Sequence, residues 1–247
     1  EFDVESEVGE SKYFVSEDGS YIAHEDVAEF KLEDVNPEEE IKDIEIVEQP
    51  EWVRTMDDNI KNYNLPAERF LKNVVYKNRV DGHIYIVTIR GDLQVNKNKL
   101  EKLLNLVGLL DDATDEDIIS IGSKPGWVHS WGYGDHKVTF VADNSLKTVK
   151  NFVGGQKVEK TDSVNVNYGR DFKHETEGDV ALAQSGFTSP DGKSKLIEKK
   201  GIEVGNIFQL GQHYSKKMRD AVFVDSDGKS KEFFMGCYGI GLGRTMA

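Results

Sequence analysis

The last third of the chain contains the stretch that decides the fold, 200-KGIEVGNIFQLG-211, followed by 234-FMGCYGIGLGR-244. In both segments apolar residues alternate with small or polar ones, and glycines then precede Arg244. This pattern predicts two strands and a turn into a helix. Glycines let a backbone approach a ligand closely, and arginine offers two parallel donors to phosphate oxygens. The pattern therefore suggests a nucleotide site, although glycine-rich turns also close ordinary sheets.

Length and composition limit the classes of protein that this chain can belong to. Its 247 residues suffice for one large domain or two smaller ones. The mean hydropathy is −0.54 and no run of 18 apolar residues occurs, which argues against a membrane-spanning helix. No signal peptide is recognisable at Glu1. Cys237 is the only cysteine, so no internal disulfide framework and no cysteine-built zinc site are expected. We expect a cytoplasmic protein.

The charge of the chain is concentrated at one end. The net charge is −14, but residues 1–51 carry 19 acidic residues against 3 lysines. The remaining residues carry a net charge of about +2 by difference. The net charge of most of the chain is therefore not one that repels RNA, although no basic stripe is visible.

The flanks and the middle of the chain have different local patterns. Residues 1–23 alternate around Asp18-Gly19, which predicts an antiparallel hairpin or two edge strands. Residues 33–51 are rich in glutamate and contain two prolines, which predicts a solvated linker. The middle then alternates between strands and helices. The predicted elements are a helix over 56–63 capped by Thr55, strands 71–76 and 83–90, a helix after Asn96 with Leu100 and Val107 on its apolar face, a short helix capped by Thr114 and Asp117, a strand over 137–142, a helix after Asp143 that ends at Gly154-Gly155, and a strand over 164–168.

Two long segments near the end carry a resemblance to a known family. The runs GIEVGNIFQLGQHYSKKM and MGCYGIGLGR resemble the end of the synthetic domain of bacterial-type prolyl-tRNA synthetases. In that family the second run is motif 3 of the class II aminoacyl-tRNA synthetases. The first thirty residues look like the passage after motif 2, and 90-RGDLQVN-96 looks like the family's insertion domain.

The resemblance implies a division of the chain into three parts. Residues 1–45 would be part of the synthetic domain with an acidic linker, 46–172 the editing insertion domain, and 173–247 a second part of the synthetic domain with motif 3. The implied fold is a mixed α/β (α+β) domain of the tRNA-Pro deacylase type, flanked by a partial antiparallel class II sheet. In the family the insertion hydrolyses mischarged tRNA, and its usual target is Ala-tRNA-Pro.

Three editing residues follow from this resemblance. Lys72 matches the family's editing lysine, and Asp143 matches an aspartate of its pocket. Gly126 lies in the glycine-rich loop 122–134, whose backbone amides are candidates for holding an oxyanion. Read without the family, Lys72 is a solvated lysine at a helix–strand junction and Asp143 an ordinary helix N-cap.

The sequence departs from the family in the same region. Ser130 takes the place of the proline in the family's loop, and His129 replaces the second glycine of that loop. Asp162 stands where the family has a pocket histidine. These changes put the rate or the substrate choice of editing in doubt. The alternative is a module that binds the tRNA end with weakened or lost hydrolysis.

The resemblance also assigns residues to the synthetic site. Asn206, in place of a family histidine, and Cys237 would lie near bound proline, while Gln209 and Arg244 would contact ATP. Read without the family, Cys237 is a small buried thiol in a strand.

The parent enzyme would join proline to tRNA-Pro through a prolyl-adenylate with ATP and Mg²⁺, and editing would need no cofactor. We expect a homodimeric parent with no membrane partner, and we do not expect this chain alone to activate proline. The tripeptide Arg90-Gly91-Asp92 also occurs in adhesive proteins, but here it is explained by a tight turn between a strand and a helix.

Overall fold

The computed structural model describes residues 1–134, 138–156 and 158–246 of the chain. These residues form a mixed α/β structure that is rich in sheet. The strands are β1 Phe2–Glu5, β2 Ser11–Ser16, β3 Ile22–His24, β4 Glu45–Glu48, β5 Leu71–Asn78, β6 Ile84–Arg90, β7 Leu110–Asp112, β8 Val138–Asp143, β9 Phe152–Gly155, β10 Thr161–Val166, β11 Thr176–Gly178, β12 Leu196–Gly211, β13 Val222–Val224, β14 Ser230–Glu232 and β15 Met235–Ile240. The helices are α1 Met56–Tyr63, α2 Lys97–Leu103, α3 Asp115–Ser120 and α4 Leu242–Met246, with 3-10 turns at Ala67–Arg69, Asn144–Thr148 and Ser215–Lys217.

The strands form a central sheet, a small sheet, a terminal sheet and a separate two-stranded pair. The central sheet has the order β11-β8-β6-β5-β7, with parallel pairing of β8 to β6 and to β11 and antiparallel pairing elsewhere. The small sheet is antiparallel with the order β4-β10-β9, and β13 pairs with β14. In the terminal sheet, β12 pairs with β1, β2 and β15, and β3 lies beside β2.

The core lies on both faces of the central sheet. Strand β6 has the sequence IYIVTIR, and its residues Ile86, Val87 and Ile89 have no exposed surface. Val87 packs with Leu100 of α2 on one face, whereas Ile86 packs with Val75 and Tyr133 on the other. A strand covered on both faces needs apolar residues at successive positions, which β6 provides. The central sheet is thus a rigid base for the segments that lie on it.

Most of the predicted elements are present. Helices α1 and α3 begin at the capping boxes formed by Thr55 with Asp58 and by Thr114 with Asp117. The hairpin of β2 and β3 turns at Asp18-Gly19, and the terminal segment forms β12, β15 and α4 as the alternation predicts. The predicted strand over 137–142 corresponds to β8, except that Lys137 lies outside the described residues.

Three local predictions are wrong. After Asp143 the chain makes one 3-10 turn instead of a helix, because Asn151 adopts a left-handed φ of 58° and residues 152–155 pair with β10 as a strand. Helix α2 ends at Leu103, so Val107 is exposed and does not extend the apolar face. Strand β10 ends at Val166, before the predicted Tyr168.

The acidic segment 33–51 is not a fully solvated linker. Strand β4 within it pairs with β10, the Glu39 carboxylate lies 2.9 Å from the Arg69 guanidinium, and the Asn36 amide donates to the Lys150 carbonyl. This segment is therefore attached to the unit that follows it. Within the described ranges, no helix is sufficiently long and apolar to span a bilayer.

Candidate functional site

A cavity of about 800 Å³ lies between the central sheet and the small sheet. One wall is strand β5 from Leu71 to Val75, and the opposite wall includes Gly154, Gly155 and Asp162 of the small sheet. The rim is formed by the segment 49–56 before and at the start of α1 and by residues 125–128 of the glycine-rich loop. A cleft of this volume is within the range of pockets that bind small organic ligands.

Asn73 attaches the glycine-rich loop to the sheet. Its Nδ2 donates to the Val128 carbonyl at 2.9 Å, and its Oδ1 accepts hydrogen bonds from the Ser130 and Thr88 hydroxyls at 3.0 and 2.8 Å. The loop therefore has a fixed position over β5. Sequence reasoning missed Asn73, and the available signal was an amide side chain on the face of β5 that also carries Leu71 and Val75.

Asp162 is a buried carboxylate on the cavity wall. It is 3% exposed and lies on the middle strand of the small sheet. Its Oδ2 accepts a hydrogen bond from the Tyr63 hydroxyl at 2.8 Å and from Gln49 Nε2 at 3.0 Å. Burial raises the pKa of Asp162, and the hydrogen bonds from Tyr63 and Gln49 oppose that shift. Sequence reasoning singled out this position but not its two donors.

Lys72 lines the cavity, but its ammonium group is directed elsewhere. Nζ donates to the Leu93 carbonyl at 2.9 Å. Successive side chains of a strand point to opposite faces, so Lys72 leaves β5 on the face opposite to Asn73. Burial lowers the pKa of Lys72, and the nearby carboxylate of Asp92 opposes this effect. In this geometry the ammonium joins β5 to the turn that contains Leu93.

Asp143 lies outside the lining of the cavity. It is 1% exposed, and its Oδ1 accepts from the Ser145 amide at 2.8 Å, which caps the 3-10 turn. Its Oδ2 accepts from the Val180 amide at 2.9 Å. Burial raises the pKa of Asp143, whereas the hydrogen bonds from Ser145 and Val180 lower it. The carboxylate thus connects the end of β8 to the segment after β11.

Gly126 is on the cavity rim, as expected for a loop that approaches a ligand. Its φ is +82°, a conformation that side chains disfavour, and an added Cβ would meet no atom within 4 Å. Ser130 and His129 are buried in the same loop, and the His129 ring packs against Trp131 at a centroid distance of 3.8 Å. The structure therefore brings Lys72, Gly126 and Asp162 to one cavity, whereas Asp143, at the end of β8, does not line it.

The residues predicted for proline and ATP lie on the terminal sheet, except for Arg244, which lies in helix α4. Asn206 pairs with Gly239, and Phe208 pairs with Cys237, so Asn206 and Cys237 share one face of the sheet. Gln209 lies on the other face. The guanidinium of Arg244 is exposed and donates to the Glu203 carbonyl at 3.1 Å. Cys237 is exposed, so its interpretation as a buried thiol is wrong, because no described segment covers that position of β15.

The part of the chain that forms most of the central sheet, the small sheet and the cavity wall matches a known family: the sequence profile "Aminoacyl-tRNA editing domain" covers residues 50–172. Over its full length the chain is 39% identical to a proline–tRNA ligase of Fusobacterium nucleatum, 37% to one of Thermotoga maritima and 35% to one of Bacillus licheniformis. Residues 50–172 therefore belong to the aminoacyl-tRNA editing domain family, and the chain as a whole is similar to proline–tRNA ligases. It spans about 42% of the length of these curated relatives.

Proposed function

We propose that this chain hydrolyses the ester bond of mischarged aminoacyl-tRNA-Pro, with Ala-tRNA-Pro as its main substrate. The observation that carries the proposal is the cavity of about 800 Å³ within the residues of the editing-domain family. Its walls combine apolar side chains with a few fixed polar groups, which suits a small amino acid esterified to a nucleotide. The partner in this reaction is the nucleic acid tRNA-Pro, and the site of action is the cytoplasm.

The glycine-rich loop is the proposed source of transition-state stabilisation. Ester hydrolysis builds negative charge on the carbonyl oxygen, and backbone amides held in a fixed loop are effective donors to such an oxygen. The hydrogen bonds of Asn73 to Val128 and Ser130 hold the loop in place before substrate arrives. In this proposal Gly126 approaches the substrate, and Lys72 and Asp143 keep β5 and β8 in position.

The parent enzyme carries the ligase activity in this proposal. It would join proline to tRNA-Pro as a homodimer, and ATP with Mg²⁺ would supply the activating adenylyl group. Arg244, an exposed guanidinium, fits a phosphate group in chemical type, and Gln209 would contact the same nucleotide. Asn206 and Cys237 would face proline from the shared face of the terminal sheet.

A second candidate function is a module that binds the tRNA end without hydrolysis. Two observations favour it. The Lys72 ammonium donates to the Leu93 carbonyl, and the loop carries the buried side chains of His129 and Ser130 at the positions of the family's Gly-Pro pair. A binding module would keep the cavity and the affinity for RNA but would leave the ester intact.

Deacylation of purified Ala-tRNA-Pro separates the two functions. The chain should release alanine faster than buffer and should leave Pro-tRNA-Pro intact, and Lys72→Ala should slow the release by about 10-fold or more because a half-buried ammonium contact is lost. Lys77→Ala is the matched control, since Lys77 lies on the same strand but pairs with Asp117 at the surface. Ester loss no faster than buffer, with RNA binding retained, would establish the binding module instead.

A further inference from the structure

The carboxylate of Asp162 is buried without a cationic partner of its own. Both donors that contact its Oδ2 are neutral, namely the Tyr63 hydroxyl and the Gln49 amide. In the described part of the chain no lysine, arginine or histidine forms an ion pair with it. Burying a carboxylate is costly unless charge and hydrogen bonds compensate it. A cationic ligand beside this group would therefore stabilise its ionised form.

The two oxygens of Asp162 are not equivalent. Oδ2 accepts both short hydrogen bonds, at 2.8 Å from Tyr63 and at 3.0 Å from Gln49. Oδ1 has a longer contact of 3.3 Å with the same Gln49 amide. A carboxylate has about four acceptor positions, so Oδ1 keeps capacity for a further donor. Tyr63 and Gln49 also fix the orientation of the group, which favours recognition of a ligand in one defined position.

Open space lies next to this carboxylate. Asp162 pairs directly with Gly155 of β9, and side chains of paired residues project on the same side of a sheet. A Cβ at Gly155 would meet no atom within 4 Å, so the neighbouring volume belongs to the cavity that both residues line. A small cationic group can therefore occupy the position beside Asp162 without displacing the protein.

We propose that the Asp162 carboxylate binds the α-ammonium group of the aminoacyl ester and thereby selects an amino acid over a neutral acyl group. The inference rests on the proposed hydrolysis, and it identifies the group that recognises the positive charge of the substrate. The ammonium is the only cationic part of an alanyl ester, and a charge-assisted hydrogen bond to a carboxylate is stronger than a neutral one. Asp162 is thus a specificity-determining residue, while the glycine-rich loop acts on the carbonyl.

The test compares Ala-tRNA-Pro with lactyl-tRNA-Pro, in which a hydroxyl replaces the ammonium. Each rate is divided by the rate of the same ester in buffer, because the ammonium also labilises the ester in water. The unaltered chain should prefer the alanyl ester by roughly 10- to 100-fold. Asp162→Asn should remove this preference and leave the lactyl rate unchanged. The matched control is Asp57→Asn, which makes the same change at an exposed position of α1. This variant should keep the preference for the alanyl ester.

Binding of non-hydrolysable analogues keeps the inference testable if hydrolysis is not seen. The probes are 3′-alanylamido and 3′-lactylamido derivatives of 3′-deoxyadenosine. The unaltered chain should bind the alanyl analogue about 10-fold or more tightly than the lactyl one. Tyr63→Phe keeps the carboxylate but removes one donor, so it should retain a preference that Asp162→Asn loses.

Distinct results would overturn the two proposals. If Asp162→Asn slowed the hydrolysis of both esters equally, Asp162 would be a general base or a structural group. That result would contradict its proposed role in recognising the ammonium. Equal affinity of the unaltered chain for both analogues would contradict it as well. Failure of the unaltered chain to hydrolyse either ester, with the alanyl analogue still preferred, would overturn the hydrolytic function alone.

Discussion

Ile86 and Val87 on the central sheet have no exposed surface, whereas Tyr238 and Ile240 on the terminal sheet are 76% and 82% exposed. Both regions have the alternating or apolar sequences of strands, and both form strands. The difference shows that an apolar strand sequence specifies local conformation but not burial, which depends on the segments that cover the sheet. The central sheet has such cover from α2 on one face and from α3 with the glycine-rich loop on the other.

The same difference separates the two groups of predicted site residues. Of the residues predicted for editing, Lys72 and Gly126 lie at a cavity bordered by several chain segments, and polar side chains there, such as Asn73 and Asp162, have hydrogen-bond partners. The residues predicted for proline and ATP lie on an exposed apolar sheet. Contiguous exposed apolar surface of this kind marks a contact with another segment or another protein. The described structure therefore supports chemistry at the first site more directly than at the second.

The largest expected contrast is in stability. Ile86→Ala should lower the free energy of unfolding by about 2–5 kcal/mol, because it removes buried methyl groups and leaves a cavity in the core. Ile240→Ala makes the same change on the terminal sheet and should alter it by less than about 0.5 kcal/mol. Urea unfolding followed by circular dichroism measures both. Similar losses for the two variants would mean that the terminal sheet is covered in solution.

A second contrast concerns activity and uses glycines. Gly155→Leu places a side chain in the cavity beside Asp162 and should slow deacylation of Ala-tRNA-Pro by about 100-fold, since the ester is displaced from its position. Gly239→Leu puts the same side chain on the terminal sheet and should leave the deacylation rate unchanged. Full activity of the Gly155 variant would place the reaction outside the cavity.

A third contrast concerns pH. His174 is buried against Phe140, and burial lowers its pKa to about 4. The unfolded chain, with a histidine pKa near 6.5, binds this proton more readily, so the contribution is complete above pH 6.5 and is lost as the pH falls towards 4. Between pH 7.5 and 5 the loss is about 2 kcal/mol. His174→Gln should reduce the pH dependence of unfolding by this amount.

The matched control for that measurement is His213→Gln, an exposed residue near the end of the terminal sheet. This variant removes a histidine from the surface instead of from the core, so it separates the effect of losing a buried imidazole from that of losing any imidazole. An unchanged slope for His174→Gln would show that the His174 imidazole of the unaltered chain binds a proton as readily in the folded state as in the unfolded state.

The smallest expected effect is at Cys237. Because this thiol is exposed, a maleimide should label it in the folded chain at the rate of an accessible cysteine. Labelling should leave deacylation unchanged, since the terminal sheet does not line the cavity. Protection of Cys237 until the chain unfolds would show that β15 is covered in solution.

The sequence alone predicted the helices whose starts are set by local hydrogen bonds. Helix α1 was predicted from a cap at Thr55 and helix α3 from a capping box of Thr114 with Asp117, and both helices begin with a capping box. Strand β9 was missed because its conformation depends on pairing with β10, and the glycines that suggested a helix end are strand residues. The fold class and the family were predictable from long motifs, but the attachment of the acidic segment 33–51 was not.

The candidate site was only partly predictable, because motifs identify individual residues but not their contacts across the fold. The sequence identified Lys72, Gly126 and Asp162, the last as a departure from the family's histidine. It did not show that strand alternation places Asn73, rather than the Lys72 ammonium, against the loop, or that Asp143 is held by the Val180 amide. The donors to Asp162 come from segments about one hundred residues away. Such contacts require the tertiary structure.

A crystal structure with 3′-alanylamido-3′-deoxyadenosine would test the central claim most directly. The alanyl group should lie in the cavity between β5 and the small sheet, with its ammonium about 2.7–2.9 Å from Oδ1 of Asp162 and its carbonyl facing the loop at Gly126. An analogue bound on the terminal sheet, or one whose ammonium faces away from Asp162, would contradict the account.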